Sequence, residues 1–356
     1  MLKRIRWLIA AGVNAALTVL LVTAAKLFPL MFPLFYTELS RKANRFLSGV
    51  TAVVPVPVWE LALLALVLWQ IISLIRCIAE KKILDWLARL PLILTTLALL
   101  FVAIWGLNHF APDISESVDL HVGEYTESQL QQALTYYADR ASEYSVLVER
   151  DADGAVVLPE DSALSDAAVE SYRVLAQTWP RFSDPAPRVK MLLGSELFGY
   201  LGTTGIYVCL TGEASVSRAA FAANIPFDMC HELGHSLCFA GEDEANFAGF
   251  LACSVSEDPL FRYSGYLSAF IYCYNALYET SPAAAQAVWN RCSDEMLADC
   301  RAQRAHYEQY DGAVQDAAQS VNNAYLESFD QEGVRSYDMV TEHLIAYYLQ
   351  YLAYAR

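Results

Sequence analysis

Two histidines flank a glutamate in the second half of this 356-residue chain, in the run His231-Glu232-Leu233-Gly234-His235. Residues four apart lie on one face of a helix, so both imidazoles can reach a single metal ion while Glu232 projects beside it. A carboxylate in that position can act as the general base toward a metal-activated water. The spacing therefore predicts a zinc site with His231 and His235 as ligands.

A catalytic zinc usually takes three protein ligands and keeps one position open, so a third ligand is expected beyond this helix. Gly241 is the predicted helix end, and Glu242, Asp243 and Glu244 follow it. Acidic residues favour the first turn of a helix, so this stretch predicts a second helix packed against the first. We favour Glu244 as the third ligand, with Glu242 or Asp243 as the alternatives. Without a metal, the histidines would be ordinary polar residues and the acids would serve as helix caps.

The first 110 residues differ from the rest in charge and hydropathy. They carry eleven Lys and Arg against four Asp and Glu, whereas the remainder is strongly acidic. This part also contains apolar runs long enough to cross a bilayer, at about 7–27, 58–75 and 90–110. We therefore predict a membrane domain over residues 1–110 with three transmembrane helices, and a separate domain over residues 111–356. A soluble bundle of buried helices is the alternative.

The distribution of basic residues predicts the orientation in the membrane. Seven Lys and Arg lie at the N-terminus and between the second and third spans, against four around the loop after the first span. By the positive-inside rule the N-terminus is cytoplasmic and the acidic domain is extracytoplasmic. The net charge of −16 argues against nucleic acid as a partner, because no basic stripe is present to neutralise phosphates. Eight cysteines without a C-x-x-C pair do not indicate a disulfide framework.

Hydrophobic periodicity predicts an α+β outer domain that is mostly helical, with a small sheet before the histidine helix. The predicted helices cover about 126–148, 164–178, 263–279, 281–309, 313–328 and 337–354. The predicted strands cover about 188–193, 205–210 and 213–217. Residues 211–217 are a candidate edge strand on which a peptide substrate could add by strand pairing. The alternative is an inner strand that covers the histidine helix.

Six segments of the chain, together with the three spans, resemble a known family. They lie at residues 211–216, 230–235, 242–247, 261–266, 321–326 and 333–337. The family is the bacterial domain of unknown function 3810, regarded as zincin-like membrane proteins. The resemblance implies a gluzincin-type site in which His231, His235 and Glu244 bind Zn²⁺ and Glu232 is the base. The chain departs from the family at Cys209, Leu210 and Ser217, which bears on the substrate strand and not on the metal site.

A peptidase also needs a hydrogen-bond donor for the developing oxyanion. The candidates lie in the segments that resemble the family, and each could equally be structural: Arg262, Tyr263, Tyr266 and Tyr337. His306 and His343 are single helical histidines, which are predicted to be ordinary surface or core residues.

The leading hypothesis is a membrane-anchored zinc metallopeptidase that hydrolyses a peptide or protein outside the cytoplasm. The alternative is a non-catalytic receptor or sensor in which the same zincin-like fold binds an envelope peptide or a partner protein. The intact Glu232 favours catalysis, since a binding protein has no need of the base. The sequence does not determine the substrate, the choice between endopeptidase and exopeptidase, or the oligomeric state.

Overall fold

The structure is a computed structural model that describes residues 2–28, 31–328 and 336–353, except for the side chains at 31–34, 322, 325–328 and 336–338. It divides into two compact units, residues 1–112 with 208–213, and residues 113–207 with 214–356. The predicted boundary after residue 110 lies two residues before this division. Residues 208–213, which the sequence assigns to the outer domain, group with the first unit.

The first unit is built from four long helices: α1 (Leu2–Leu27), α2 (Met31–Thr51), α3 (Val58–Ala79) and α4 (Ile83–Ile104). Helices α1, α3 and α4 are long and apolar enough to cross a membrane. The predicted third span, 90–110, is displaced from α4. The helix starts earlier because Asp85 lies in its first turn, where a carboxylate favours the helix dipole and pairs with Arg4 of α1. It ends earlier because residues Gly106–Phe110 form a short 3₁₀ helix.

Helix α2 occupies a stretch that the sequence analysis treats as a loop, and it turns its polar side inward. Buried Tyr36, Ser40, Asn44 and Ser48 recur every four residues, while large apolar residues such as Phe35 and Phe46 are exposed. Tyr36 and Ser40 donate hydrogen bonds to main-chain carbonyls at the end of α4, at 2.8 and 2.6 Å. An outward apolar face is typical of a helix that lies in a membrane interface.

Residues 208–213 pack within the first unit through close backbone contacts. Glu213 is buried, and its two carboxylate oxygens accept the main-chain N–H groups of Val58 and Trp59, each at 2.9 Å. The carboxylate therefore caps the N-terminus of α3. Gly212 has φ of +67° and approaches α2 so closely that a Cβ atom would lie 2.6 Å from the nitrogen of Ser48. The Thr-Gly-Glu run of residues 211–213 thus has a structural role.

The described residues of the second unit form the remaining helices and most of three short strands, of which only Val208 and Glu213 belong to the first unit. The helices are α5 (Ile114–Ser117), α6 (Glu127–Ser145), α7 (Asp161–Thr178), α8 (Ser195–Tyr200), α9 (Ile225–Ser236), α10 (Glu242–Val255), α11 (Pro259–Thr280), α12 (Pro282–Trp289), α13 (Asp294–Glu308), α14 (Ala313–Ser328) and α15 (Ser336–Tyr347). The strands are β1 (Val189–Met191), β2 (Gly205–Val208) and β3 (Glu213–Val216). The chain is therefore mostly helical with a small sheet, as predicted.

Two predicted helices differ from the structure at internal breaks. The predicted helix over 281–309 is divided between α12 and α13, because the Ser293 side chain accepts the N–H of Met296 and starts a new helix there. The predicted helix over 337–354 changes to a π-helical turn at Tyr348–Leu352. The predicted capping box at the start of α6 is present, with Thr126 and Gln129 bonded reciprocally.

The sheet has the order β1-β3-β2, and β1 pairs with β3 in parallel, with Val189 opposite Ala214. Strand β3 is the central strand, so it is paired on both sides and fully buried. The candidate substrate strand at residues 211–217 is therefore an inner strand. Strand β2 is half-buried and lies at an edge of the sheet.

Candidate metal centre

Helix α9 carries the histidine pair. Pro226 lies in its first turn, where its missing N–H leaves no hydrogen bond unmade. His231 and His235 follow one turn apart, with ring centroids 4.7 Å apart and ring planes perpendicular. Both side chains are largely buried, with 13% of the His231 side chain and 9% of the His235 side chain exposed. The helix thus presents two imidazole edges to one small volume.

The third group in this volume is Glu242, the first residue of α10. Its Oε2 lies 3.3 Å from Nε2 of His231, and its Oε1 lies 3.8 Å from Nε2 of His235. One ligating atom of each of these residues lies within 4.8 Å of the others. Tetrahedral zinc with bonds of about 2.0–2.1 Å separates its ligand atoms by roughly 3.3–3.5 Å. The 3.3 Å separation lies within this range and the 3.8 Å separation lies slightly above it, so the three residues could hold a zinc ion after small side-chain shifts.

The opposite nitrogens of both imidazoles are held by other groups. Nδ1 of His231 lies 2.8 Å from Oδ1 of Asn246, and Nδ1 of His235 lies 2.8 Å from the carbonyl oxygen of Phe239. An acceptor at Nδ1 fixes the proton there and directs the Nε2 lone pair toward a metal. Asn246 follows Glu242 by one helical turn, so α10 supplies both a ligand candidate and its support.

Glu232 lies between the histidines and is only 4% exposed. Its Oε2 has no hydrogen-bond partner among the described residues. Buried polar atoms are rarely left without a partner, so this oxygen is available to a reacting group. Burial raises the pKa of Glu232, the charge of His231 opposes this, and the charges of Glu242 and Asp228 add to it, so that the pKa is about 8. The carboxyl therefore holds or releases a proton near neutral pH.

The pKa values of the two histidines are shifted in opposite directions. Burial lowers the pKa of His231, but its hydrogen bond with Glu242 and the charge of Glu242 outweigh burial and raise the value to about 9. Burial and the positive charge of His231 together lower the pKa of His235 to about 4. Without a metal ion, the cluster therefore favours a protonated His231. A bound metal ion would replace this proton as the positive charge beside Glu242.

Glu244, which the sequence analysis favours as third ligand, has other partners. Its Oε1 accepts the N–H of Ile114 and its Oε2 accepts the N–H of Gly241, both at 3.0 Å. It occupies the third position of α10, where a glutamate side chain can accept the main-chain N–H of the residue before the helix. We therefore replace Glu244 with Glu242, one of the two alternatives, in the candidate ligand set. Asp243 points to a different cluster, described below.

The candidate oxyanion donors on α11 are engaged within the core. Tyr263 is fully buried and donates to Oδ2 of Asp299 at 2.5 Å. Arg262 donates to the carbonyl of Ser256 and to the hydroxyl of Tyr144. Tyr266 stacks on the Tyr144 ring with centroids 5.8 Å apart. These contacts favour a packing role for the three residues, and their role as oxyanion donors stays a prediction.

Tyr337, the remaining candidate donor, belongs to α15, but its side chain lies outside the described residues.

Two residues near Glu232 are not singled out by the sequence analysis. Gly205 begins β2, and a Cβ atom there would stand only 2.8 Å from Cγ of Glu232. Asp228 lies one turn before Glu232 on α9, has an oxygen without a partner in the described part of the chain, and has its pKa raised to about 7 by burial. The i to i+4 spacing of Asp228 and Glu232 could have indicated from the sequence that the two carboxyl groups lie on one face of α9. The contact between Gly205 and Glu232 could not be predicted in this way, because it joins two separate elements.

A family model described as "Protein of unknown function (DUF3810)" matches residues 35–345, which is most of the chain. No curated protein and no solved structure matches the chain.

Proposed function

The chain belongs to the DUF3810 family, and we propose that it is a membrane-anchored zinc metallopeptidase. The observation that carries this proposal is the gathering of ligating atoms of His231, His235 and Glu242 within 4.8 Å, together with the buried Glu232, the residue after His231, which has a carboxylate oxygen without a partner among the described residues. A binding site alone would not need that fourth group.

The proposed division of labour follows from the geometry. His231, His235 and Glu242 would hold the ion through Nε2, Nε2 and a carboxylate oxygen. When bound, zinc supplies Lewis acidity toward a water molecule and a substrate carbonyl. Glu232, as the carboxylate, would take the proton of the attacking water and pass it to the leaving amine. Asn246 and the Phe239 carbonyl would keep the imidazoles oriented.

Strand β2 is the proposed place for the substrate backbone. It is an edge strand among the described strands, and its first residue, Gly205, lies against Glu232. An extended peptide that pairs with an edge strand gains main-chain hydrogen bonds independent of its side chains. A peptide or protein segment on β2 would therefore run past the proposed base.

We further propose that the second unit is extracytoplasmic. Helices α1, α3 and α4 can each cross a membrane, and an odd number of crossings separates the two ends of the chain. The excess of basic residues near the N-terminus and between α3 and α4 supports a cytoplasmic N-terminus. A reporter fused after Arg356 tests this topology, since activity of a cytoplasmic reporter there would contradict it.

The test of the activity uses the full chain in detergent, purified through a tag without histidine. Zinc-loaded protein is incubated with a mixed peptide library, and new termini are identified by mass spectrometry. We expect cleavage that Glu232→Gln abolishes while zinc content is kept, and that Glu279→Gln, an exposed glutamate elsewhere, leaves unchanged. Cleavage by Glu232→Gln at the wild-type rate would contradict the proposed mechanism, and a zinc-loaded wild type that cleaves nothing would favour a receptor.

A further inference from the structure

A second group of metal-ligating side chains lies in the second unit. It consists of Asp113, Asp243 and His343, and one ligating atom of each lies within 4.8 Å of the others. Asp113 precedes α5, Asp243 is the second residue of α10, and His343 lies on α15. Three segments far apart in the chain thus bring one nitrogen and two carboxylates together.

The ring of His343 is held with one nitrogen facing the carboxylates. Its Nδ1 lies 2.8 Å from the carbonyl oxygen of Met339, and its Nε2 lies 3.1 Å from Oδ1 of Asp113. The ring also stacks on Phe247, with centroids 5.2 Å apart. A carbonyl at Nδ1 is the same support that His235 receives from Phe239, and it leaves Nε2 as the ligating atom.

Asp243 adds an independent sign that a ligand belongs here. The residue is only 2% exposed, and its Oδ2 finds no hydrogen-bond partner in the part of the chain that the structure describes. A buried carboxylate oxygen without a partner is costly unless a cation or a donor pairs with it. Asp113 is 41% exposed at its side chain, so solvent and ions can reach the cluster.

Glu244 holds the first of these segments in place. Its two oxygens accept the N–H groups of Ile114 and Gly241, which ties the residue after Asp113 to the start of α10. The residue that resembles the family's third zinc ligand therefore positions a different carboxylate. Side chains of successive helical residues diverge by about 100°. Glu242 accordingly faces the histidine pair of α9, while Asp243 faces His343.

We propose that Asp113, Asp243 and His343 bind a second divalent metal ion, of the zinc or manganese class. Mixed imidazole and carboxylate donors suit these ions. Among the described residues, the buried carboxylate oxygen without a partner at this cluster belongs to Asp243, itself a candidate ligand, and not to an additional group that could act as a base. The proposed ion is therefore structural: it joins the segment before α5, the first turn of α10 and α15. Because Glu242 and Asp243 are adjacent, the ion would also steady the first site. The inference does not require the chain to be a peptidase.

The experiment counts metal ions per chain in the full-length protein. Protein stripped by a chelator is dialysed against Zn²⁺ or against Mn²⁺, and bound metal is measured by mass spectrometry. Asp243→Asn and His343→Gln remove ligands of the second site with little change of volume. His231→Ala removes a ligand of the first site. His306→Gln is the matched control, since His306 contacts the Ala219 carbonyl and belongs to neither cluster.

We expect two ions in the wild type and in His306→Gln, and one fewer ion in each of the other three variants. Combining His231→Ala with His343→Gln should remove both ions. One ion in the wild type, unaffected by Asp243→Asn and His343→Gln, would overturn the proposal. If a variant of the second site fails to fold, the metal count of the wild type and of His231→Ala decides. A wild type that binds a single ion, and loses it in His231→Ala, has no second site. Failure of the peptidase proposal would appear as absent cleavage with both ions bound.

Discussion

The backbone of Gly205 lies directly against the carboxylate of Glu232. A Cβ atom on Gly205 would overlap Oε1 of Glu232 and stand 2.8 Å from its Cγ. The first residue of β2 therefore must lack a side chain if Glu232 is to keep its position. The contact joins the proposed substrate strand to the proposed base, although the two residues are 27 positions apart in the chain.

Substitution Gly205→Ala should displace Glu232 without touching the metal ligands. The far end of a flexible side chain moves more readily than backbone, so the protein should fold and keep its zinc. Loss of a positioned general base costs about 10²- to 10⁴-fold in rate. We expect a loss in that range in peptide cleavage per bound zinc. Gly123→Ala is the control, because a Cβ atom there meets nothing within 4 Å. Wild-type cleavage by Gly205→Ala would show that the contact is not needed.

Substitution Asn246→Ala should weaken zinc binding through His231. The amide oxygen at 2.8 Å from Nδ1 orients the ring, and groups that support a metal ligand in this way contribute about 10- to 100-fold in affinity. We expect the zinc Kd, measured by competition with a coloured chelator, to rise by that factor. Asn290→Ala, at an exposed position, should leave the Kd unchanged. An unchanged Kd in Asn246→Ala would contradict the supporting role.

Zinc affinity should rise with pH. The pKa of His231 is raised to about 9, so its imidazole is protonated at neutral pH and zinc must displace a proton. The Kd should fall by up to about tenfold per pH unit for each proton displaced, and level off above about pH 9. Calorimetry in buffers of different ionisation enthalpy measures the protons released, with His343→Gln as background so that one site is titrated. A binding heat independent of the buffer would contradict this linkage.

Substitution Tyr263→Phe tests whether this residue acts in packing or in catalysis. Its hydroxyl donates to Asp299, which Arg150 also holds through two hydrogen bonds of 3.0 and 2.8 Å. Removing a hydrogen bond to a charged group costs about 1.5–3 kcal/mol of stability. We expect a lower melting temperature and unchanged cleavage per folded molecule, whereas Tyr278→Phe, at a half-exposed site, should change neither. A large loss of cleavage at unchanged stability would return Tyr263 to the list of donors.

The sequence was sufficient to predict that His231 and His235 share one helical face and that three helices are long and apolar enough to cross a membrane, because each is a local pattern. The position of the third ligand depends on the turn after α9. The sequence favours Glu244 there, whereas the structure brings Glu242 to the histidine pair. The spacing of Gly241 and Glu244 could have indicated this: a glutamate three residues after the residue that precedes a helix commonly accepts the N–H of that residue, which leaves Glu242 for the histidines.

The remaining features of the site join residues that are distant in the chain. His343 and Asp113 are 230 positions apart, and no periodicity links them, so His343 was predicted to be an ordinary histidine. The inner position of β3 follows from pairing with β1 and β2, which a strand's own residues do not encode. Arg262 and Tyr263 carry types suited to an oxyanion donor, yet their partners on other helices determine what they do.

The zinc content of Glu242→Gln and Glu244→Gln, compared with that of His231→Ala, tests the ligand set most directly. All are measured on full-length, zinc-loaded protein that melts cooperatively. If Glu242 completes the site, Glu242→Gln loses the same equivalent of zinc as His231→Ala, and combining the two removes no more. Glu244→Gln should keep that equivalent, because its carboxylate caps α10. If Glu242→Gln keeps the zinc that His231→Ala loses, and Glu244→Gln loses it instead, the site as described is contradicted.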